Sequence, residues 1–203
     1  GDPPIAERQS SGLGLTTPEF AVLLAYTKTS NVAELEDSSL PDDPCLVPDL
    51  LSYFPQRLRK QYHDDILAHR LRREIVATVV TNQMVNLSGI SFDHRVSEET
   101  GVGVVDTTRA WVAARDIFCL VDLWHQVDHL TGVVKPEVQI ELFLELRSLA
   151  ERATLWLLRH GKSPFDIATA TADFRDSMQA LVAMEGTLRG RLRDAGFALE
   201  ASR

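Results

Sequence analysis

Residues 64–87 read DDILAHRLRREIVATVVTNQMVNL, and the valine-rich middle of this stretch, IVATVV, suits a β-strand by propensity alone. The flanking segments HRLRRE and TNQMVN contain no turn residue. An uninterrupted run of this length is typical of a helix, because strands are usually much shorter. We therefore predict one long helix from about Asp64 to Leu87.

The chain before this stretch carries two helix-start signals and one breaker. The sequence TPE at residues 17–19 combines a capping residue, a first-turn proline and an early acid, which predicts a helix over residues 18–30. Asn31, with Glu34 three positions later, predicts a second start. Residues 38–48, SSLPDDPCLVP, are rich in proline and acid, so we expect a loop there.

Proline and glycine also mark the ends of the later predicted helices. LLSYF and PQRLRKQY are expected to form short helical pieces between the loop and residue 64. The later predicted helices run from Ser91 to Gly101, from Val104 to about Leu130 with a kink, from Pro136 to His160 with Gly161 as the stop, and from Ser163-Pro164 with Asp166 to about Met184.

The helix that opens at Pro136 is expected to be central, because apolar residues lie on several of its sides. The predicted inward stripe consists of Val138, Leu142, Leu146, Leu149, Ala153 and Trp156. No segment alternates apolar and polar residues convincingly over six positions, and no Asn-Gly or Asp-Gly hairpin turn occurs. The predicted fold is therefore all-α: a single bundle-like domain over residues 12–186, with a flexible segment 1–11 and a loosely held helical tail 187–203.

Composition and charge exclude several functional classes. The chain has 29 acidic and 21 basic residues, a net charge of −8, which disfavours nucleic-acid and anionic-membrane partners. No apolar run reaches the length of a membrane span, and the first dozen residues lack a signal-peptide pattern. Cys45 and Cys119 form no Cys-x-x-Cys motif, which suits a reducing compartment. We predict a cytoplasmic protein.

Motifs for catalysis or cofactor binding are absent from the sequence. Gly12 with Gly14, and Gly101 with Gly103, are the glycine pairs nearest to a dinucleotide pattern, but neither has the third glycine or a strand–helix context. Gly-x-Ser-x-Gly, His-Glu-x-x-His and EF-hand patterns do not occur either. The sequence therefore predicts no catalytic residue and no cofactor-binding residue in this chain.

One helical spacing has the chemistry of a metal site. Asp122, His125 and His129 lie three and four positions apart on one face, and two imidazoles with a carboxylate are ligands that zinc accepts. The alternative is a solvated polar face behind Trp124. Because no fourth ligand is indicated, we predict no metal site and keep these three residues as a minor candidate.

The arginine-rich stretches at residues 57–60 and 70–73 allow two interpretations. They form a nucleic-acid patch, or they belong to an intramolecular or partner-facing charge network. The acidic total favours the network. We expect Arg72 or Arg73 to pair with Glu98 or Glu99.

A polar stripe on the long helix raises a related question. Arg72, Asn82 and Asn86 lie in line with Ile75 and Val79 at helical spacing. Buried amides need hydrogen-bond partners. The two asparagines therefore hydrogen-bond to neighbouring backbone and fix the helix register, or they face another domain or subunit together with the arginines.

Several stretches resemble one protein family. GLTTPEFAVLLAYTK, SYFPQRLRKQYHDDILAHRLRREIVATVVTNQMVN, EETG followed by RAWVAARDIF, and ERATLWLLR are similar to the C-terminal region of the large bacterial NAD-specific glutamate dehydrogenases. The resemblance runs from about Gly12 to at least His160, and more loosely to about Met184. Its most specific part is HRLRREIVAT with the two asparagines that follow.

The resemblance implies an activity for a longer parent chain: oxidative deamination of L-glutamate to 2-oxoglutarate and ammonia, with NAD as hydride acceptor. The family's catalytic and nucleotide-binding groups belong to a preceding dehydrogenase domain, and no position here matches their motifs. We expect a domain that is inactive alone and binds no cofactor, whose partners are the other domains of a homo-oligomeric parent. Its role would be docking or regulation. The alternative is an autonomous helical protein-interaction module without enzymatic activity. Trp124, Phe143 and Trp156 are candidates for an exposed docking face.

Overall fold

The computed structural model describes residues 3–161 and 165–175, and within these residues it contains helices and no strand, which confirms the all-α prediction. The helices are α1 (Pro3–Ser10), α2 (Thr17–Glu36), α3 (Val47–Ser52), α4 (Gln56–Gln61), α5 (His63–Leu67), α6 (Arg72–Ser88), α7 (Phe92–Thr100), α8 (Val104–Ile117), α9 (Leu120–Asp128) and α10 (Pro136–His160). Residues 167–175 are also helical.

Helix α2 is one continuous helix, so the predicted second start at Asn31 is wrong. Asn31 is buried within it, and the absence of proline or glycine after residue 30 lets the helix continue to Glu36. Thr16, one residue before the predicted position, is the N-cap. The Glu19 carboxylate accepts hydrogen bonds from the Thr16 backbone N–H at 2.7 Å and the Thr16 hydroxyl at 2.6 Å. These hydrogen bonds are the main reason that the pKa of Glu19 lies below its usual range.

The proline-rich stretch 38–48 does interrupt the α-helices, as predicted. It contains two 3-10 turns, Leu40–Asp42 and Pro44–Leu46, each with a proline at its start. Proline is accepted there because the first residues of a helical turn need no backbone donor. Residues 37–46, between α2 and α3, are called the acidic loop below.

The predicted helix over residues 64–87 is two helices rather than one. The IVATVV segment is helical within α6, but the chain turns between α5 and α6. His69 Nδ1 accepts a hydrogen bond from the Leu71 backbone N–H at 3.1 Å, and this side-chain contact stabilises a turn that contains no glycine or proline. The length of the uninterrupted run therefore correctly predicted a helix, but it did not predict the break.

The predicted helix starts and stops around residues 91–161 are confirmed. Helix α7 follows Ser91 and ends before Gly101, which has a left-handed φ of 72°. The predicted kink after Val104 lies at Cys119, whose φ of 51° separates α8 from α9. Helix α10 begins at Pro136 and ends before Gly161.

Part of the last predicted helix and the predicted tail cannot be compared with the structure. The start at Ser163-Pro164, the end near Met184 and the tail 187–203 lie outside the described residues. Asp166, predicted to lie in the first turn, instead directly precedes the helical residues 167–175, and its Oδ1 accepts a hydrogen bond from the Thr169 backbone N–H at 2.6 Å.

The core forms where α6, α8 and the second half of α10 meet. Trp111 on α8 is fully buried, and its indole N–H donates to the Ser88 hydroxyl on α6 at 2.8 Å. Burial of such a large ring with its polar atom satisfied is a main source of stability. The second half of α10 adds Ala153 and Leu157 to this core.

Only one residue of the predicted inward stripe of α10 is buried. Ala153 is buried, whereas Val138, Leu142 and Trp156 are exposed. The first half of α10 packs on α9, where the rings of Trp124 and Phe143 lie 4.2 Å apart. A helix that meets one neighbour on one side leaves its other apolar residues in solvent.

Within the described residues no single helix has the length and hydrophobicity that crossing a bilayer would require. Helices α6 and α7 reach that threshold only when taken together, and an angle of 85° separates their axes.

Candidate functional site

The most buried charges of the described chain form one ion pair between α8 and α3. Arg115 and Asp49 are 6% and 4% exposed. Arg115 Nη1 and Nη2 donate to the two carboxylate oxygens of Asp49 at 2.8 and 3.0 Å. This bidentate geometry satisfies both groups at once, which is the condition under which a buried ion pair is tolerated.

Two further polar groups complete the network. Gln83 on α6 accepts from Arg115 at 2.7 Å and donates to Asp49 at 3.2 Å. Asp116 accepts from the Arg115 Nε at 2.7 Å. Burial acts to lower the pKa of Arg115, but the two carboxylates outweigh it and raise that pKa. The guanidinium therefore stays charged, and the network connects α3, α6 and α8.

Sequence analysis did not identify this network, although one signal was present. Arg115 is the one charge in the run AWVAAR, residues 110–115, and lies four positions after Trp111 on the same helix face. In the structure its guanidinium lies 5.7 Å from the Trp111 ring centroid. A charge in the line of a buried aromatic residue indicates a buried partner, but spacing alone does not reveal which residue that partner is.

Three arginines hold the acidic loop against the helices. Arg73 donates to the backbone carbonyls of Glu36 and Ser38, both at 2.7 Å. Arg72 bonds to Asp42 at 2.7 Å, and Arg73 bonds to the same carboxylate.

Arg109 on α8 makes the third attachment, to Asp43 at 3.2 Å and to the Ser39 hydroxyl at 2.9 Å. Asp42 and Asp43 of the loop are therefore neutralised by arginines from α6 and α8. Because charged donors also bind the backbone carbonyls around the loop, its path is set by side chains from distant parts of the chain.

The predicted pairing of Arg72 or Arg73 with Glu98 or Glu99 is wrong. Both arginines pair with Asp42 instead. Glu98 lies 3.4 Å from His94, and Glu99 pairs with Arg159 on α10. The acidic loop, which contains two carboxylates in a row, competes successfully because it follows α2, and α2 packs alongside α6.

The two predicted asparagines have different surroundings. Asn86 is exposed and accepts a hydrogen bond from Lys28 Nζ on α2 at 2.9 Å. Asn82 is half-buried on the same stripe. The Asn86 contact links α6 to a neighbouring helix of the same domain, and a role for either residue in facing another domain stays a prediction.

The other basic stretch also makes internal contacts. Arg59 donates to the backbone carbonyls of Phe54 at 2.7 Å and of Ser52 at 2.9 Å. These contacts belong to the intramolecular network that the acidic composition favours.

Cys45, in the acidic loop, is a poor nucleophile. Its partial burial, together with the neighbouring Asp43 carboxylate, raises the pKa of the thiol to about 11. A thiol that stays protonated at neutral pH is neither a good attacking group nor a good metal ligand.

The three candidate zinc ligands do not form a metal centre in the described chain. His129 follows the end of α9, and its Nδ1 lies 2.6 Å from the His125 carbonyl oxygen. Across residues 3–161 and 165–175 no three His, Cys, Asp or Glu side chains are placed to hold an ion together.

The glycine pairs do not fit a dinucleotide. Gly101 ends α7 and Gly103 precedes α8, so each serves a helix terminus, and no strand leads into them in the described part of the chain. A Cβ added at Gly12, Gly14, Gly101 or Gly103 would meet nothing within 4 Å. Without a strand leading into them among residues 3–161, these glycines lack the strand–turn–helix context of a dinucleotide-binding motif.

The described residues form two surface grooves along α10. One, of about 500 Å³, lies between α9 and α10 and is lined mainly by leucines, including Leu123, Leu142 and Leu146. Another, of about 360 Å³, lies on α10 itself around Ser148. Both are open to solvent.

Comparison with known proteins gives a consistent result. A family model described as "Glutamate dehydrogenase, C-terminal" matches residues 12–199. Proteins described as NAD-specific glutamate dehydrogenase are similar in Pseudomonas aeruginosa (38% identity over 180 residues, 89% of this chain and 11% of the relative) and Halomonas elongata (39% over 158 residues, 78% and 10%). A third, from Mycobacterium tuberculosis, is 34% identical over 187 residues, 92% of this chain and 11% of the relative.

The chain thus spans about a tenth of the length of the curated relatives it matches. The match includes the acidic loop, the arginines that bind it and the buried Arg115–Asp49 pair. These findings confirm the resemblance found in the sequence: the chain belongs to the family of glutamate dehydrogenase C-terminal regions.

Proposed function

We propose that this chain is the C-terminal helical domain of an NAD-specific glutamate dehydrogenase and that it acts by docking rather than by catalysis. The whole enzyme would oxidise L-glutamate to 2-oxoglutarate and ammonia with NAD. The observation that carries the proposal is the match of nearly nine-tenths of this chain to about a tenth of a named dehydrogenase.

The internal use of charged groups supports a non-catalytic role. The buried arginine and the arginines of α6 and α8 bind carboxylates or carbonyls of the same domain. The glycines near a dinucleotide pattern terminate helices. We therefore assign NAD binding and the catalytic groups to other domains of the parent chain.

Exposed aromatic residues supply a docking surface. Phe20 and Tyr26 lie exposed on α2, and Tyr53, Leu58 and Tyr62 lie exposed over α3–α5. Large apolar side chains that are exposed at several positions are available to contact another domain. We propose that other domains of the same enzyme, the dehydrogenase domain among them, cover this surface in a cytoplasmic homo-oligomer.

Activity measurements on the isolated chain and on the full enzyme test the proposal. The purified 203-residue chain is expected to show no glutamate-dependent NAD reduction, whereas the full enzyme shows it. Turnover by the chain at enzyme-like rates, with contamination excluded, would overturn the proposal.

A surface variant tests docking separately. In the full enzyme, Phe20→Ser with Tyr26→Ser is expected to loosen the domain, seen as faster proteolytic release, with catalytic turnover retained. Val133→Ser, at an exposed apolar residue on the turn before α10, is the matched control. Equal release from both variants would contradict docking through α2. Intact assembly with a lost response to metabolites would indicate regulation instead.

A further inference from the structure

Helix α10 presents an apolar seam that the rest of the described domain leaves uncovered at Ile140 and Leu144, whereas Leu155, at the other end of the seam, packs partly against the core. Ile140 and Leu144 are 57% and 54% exposed, and Leu155 on the same face is half-buried. Ser148 and Glu151 lie between them, so the seam follows spacings of three and four residues. This is the spacing with which helices pack against other helices.

The groove on α10 has the form of a helix-packing hole. Four of its lining residues, Leu144, Arg147, Ser148 and Glu151, lie at positions i, i+3, i+4 and i+7. Residues in that relation surround the hole that receives a side chain from a facing helix. The short side chain of Ser148 forms the floor, and the longer side chains around it leave about 360 Å³ of open space.

Acidic and basic residues lie mostly in different parts of α10. Glu137, Glu141 and Glu145 form a row with four-residue spacing in the first half, where like charges repel. Arg147, one position before the midpoint of the helix at Ser148, and Arg152, in the second half, follow this row. Among the described residues none of these five makes an ion pair, although Arg152 donates weakly to the Ser148 carbonyl at 3.4 Å.

We propose that α10 pairs antiparallel with α10 of a second copy of this chain, about a two-fold axis near Ser148. An antiparallel arrangement places the acidic half of each helix against the basic half of the other. Glu145 and Arg152 stand three and four positions from Ser148, so each Glu145 meets Arg152 of the second copy. A two-fold interface makes this contact twice.

The seam and the charges specify the same register. With Ser148 at the crossing, Leu144 of each copy enters the hole beside Ser148 of the other. Glu151 adds no repulsion, because Arg95 of its own domain holds it at 2.5 and 3.2 Å. The inference rests on α10 alone and does not depend on the proposed function.

An interface built from one helix lies at the small end of the range for stable dimers, so we expect concentration-dependent association. The test is sedimentation of the 203-residue chain over a concentration series, with the mass expected to rise from 22.6 kDa towards twice that value. A mass that stays at 22.6 kDa up to the solubility limit would overturn the proposal.

Charge variants identify the face. Glu145→Arg and Arg152→Glu are each expected to weaken dimerisation about tenfold or more, because each places like charges together twice. The double variant Glu145→Arg with Arg152→Glu is expected to restore it. Glu145→Arg also relieves the repulsion within the acid row, so lost dimerisation would not reflect an unfolded monomer.

Glu34→Arg is the matched control, since it reverses an exposed mid-helix acid on α2. It is expected to leave the association constant unchanged. If Glu145→Arg behaves like Glu34→Arg, or if the double variant fails to recover while its helical circular dichroism is intact, another surface forms the dimer and the proposal fails.

Discussion

Arg115 and Asp49, 66 positions apart in the chain, form a bidentate ion pair that is almost completely withdrawn from water. The pair joins the last turn of α8 to the first turn of α3. Because Gln83 bonds to both partners, the contact also sets the position of α6. Removing one partner of this pair is therefore expected to lower the free energy of unfolding.

Arg115→Met is expected to destabilise the domain by about 3–5 kcal/mol, since it leaves the Asp49 carboxylate buried without a counter-charge. Urea unfolding measures the loss. Arg72→Met is the control: its ion pair with Asp42 is solvent-exposed, so a loss of about 0–1 kcal/mol is expected. The double variant Asp49→Leu with Arg115→Met should recover most of the stability. Equal losses from Arg115→Met and Arg72→Met would contradict the argument.

Gly89→Ala is expected to cost about 1–3 kcal/mol, because a φ of 93° with a ψ of 161° is a conformation that glycine alone adopts readily. An added Cβ would also lie 2.8 Å from the Arg147 guanidinium carbon. Gly101→Ala, at a φ of 72° with open space around it, should cost about 1 kcal/mol. Thermal unfolding ranks the two.

Adding Arg147→Ala to Gly89→Ala separates backbone strain from crowding. The arginine's far end can move aside, so we expect this second substitution to give little recovery. Full recovery would show that crowding, rather than backbone conformation, requires the glycine.

Arg73→Lys is expected to loosen the acidic loop without unfolding the domain. Lysine cannot reach two carbonyls and a carboxylate with one planar fork. A loss of about 1–2 kcal/mol in local opening would speed amide exchange in the loop by a factor of about 5–30. Hydrogen exchange read by mass spectrometry measures it. Arg70→Lys, at an exposed position, is the control, and unchanged exchange in Arg73→Lys would contradict the clamp.

Alkylation is expected to distinguish the two cysteines. With a pKa of about 11, Cys45 presents roughly one thiolate per thousand at pH 8. Cys119 is exposed and should react first with iodoacetamide. The rate at Cys45 should rise about tenfold per pH unit until the pH approaches its pKa. Peptide mapping measures both rates, and in urea they should converge. Equal rates at pH 8 in the folded chain would contradict the raised pKa.

Local signals in the sequence predicted the ends of several helices because those ends depend on neighbouring residues. Pro136, Gly101 and Gly161 mark termini that the structure confirms. The turn between α5 and α6 was missed because a His69 side chain, rather than a glycine or proline, stabilises it. Val138, Leu142 and Trp156 of α10 were wrongly predicted to face the core, because amphipathicity shows that a face is apolar without showing whether anything covers it.

Charge pairing was the least predictable feature. The sequence contains more carboxylates than arginines and lysines, so each arginine has many possible partners. Arg73 pairs with Asp42 rather than with Glu98 or Glu99 because the packing of α2 on α6 brings the acidic loop close. Asp49 and Arg115 meet for the same kind of reason. Such pairs follow from tertiary structure, which sequence spacing does not specify.

Helix α10 runs without interruption for 25 residues, about 37 Å at the usual rise. Its second half packs in the core at Ala150 and Leu157, while its first half extends beyond the core and packs on α9. Because α10 is one unbroken helix, its two halves move together as a rigid unit about the edge of the core. A displacement of α10 at Pro136 would therefore shift its buried second half against α8. No loop lies between the exposed end of the helix and the core to absorb that displacement.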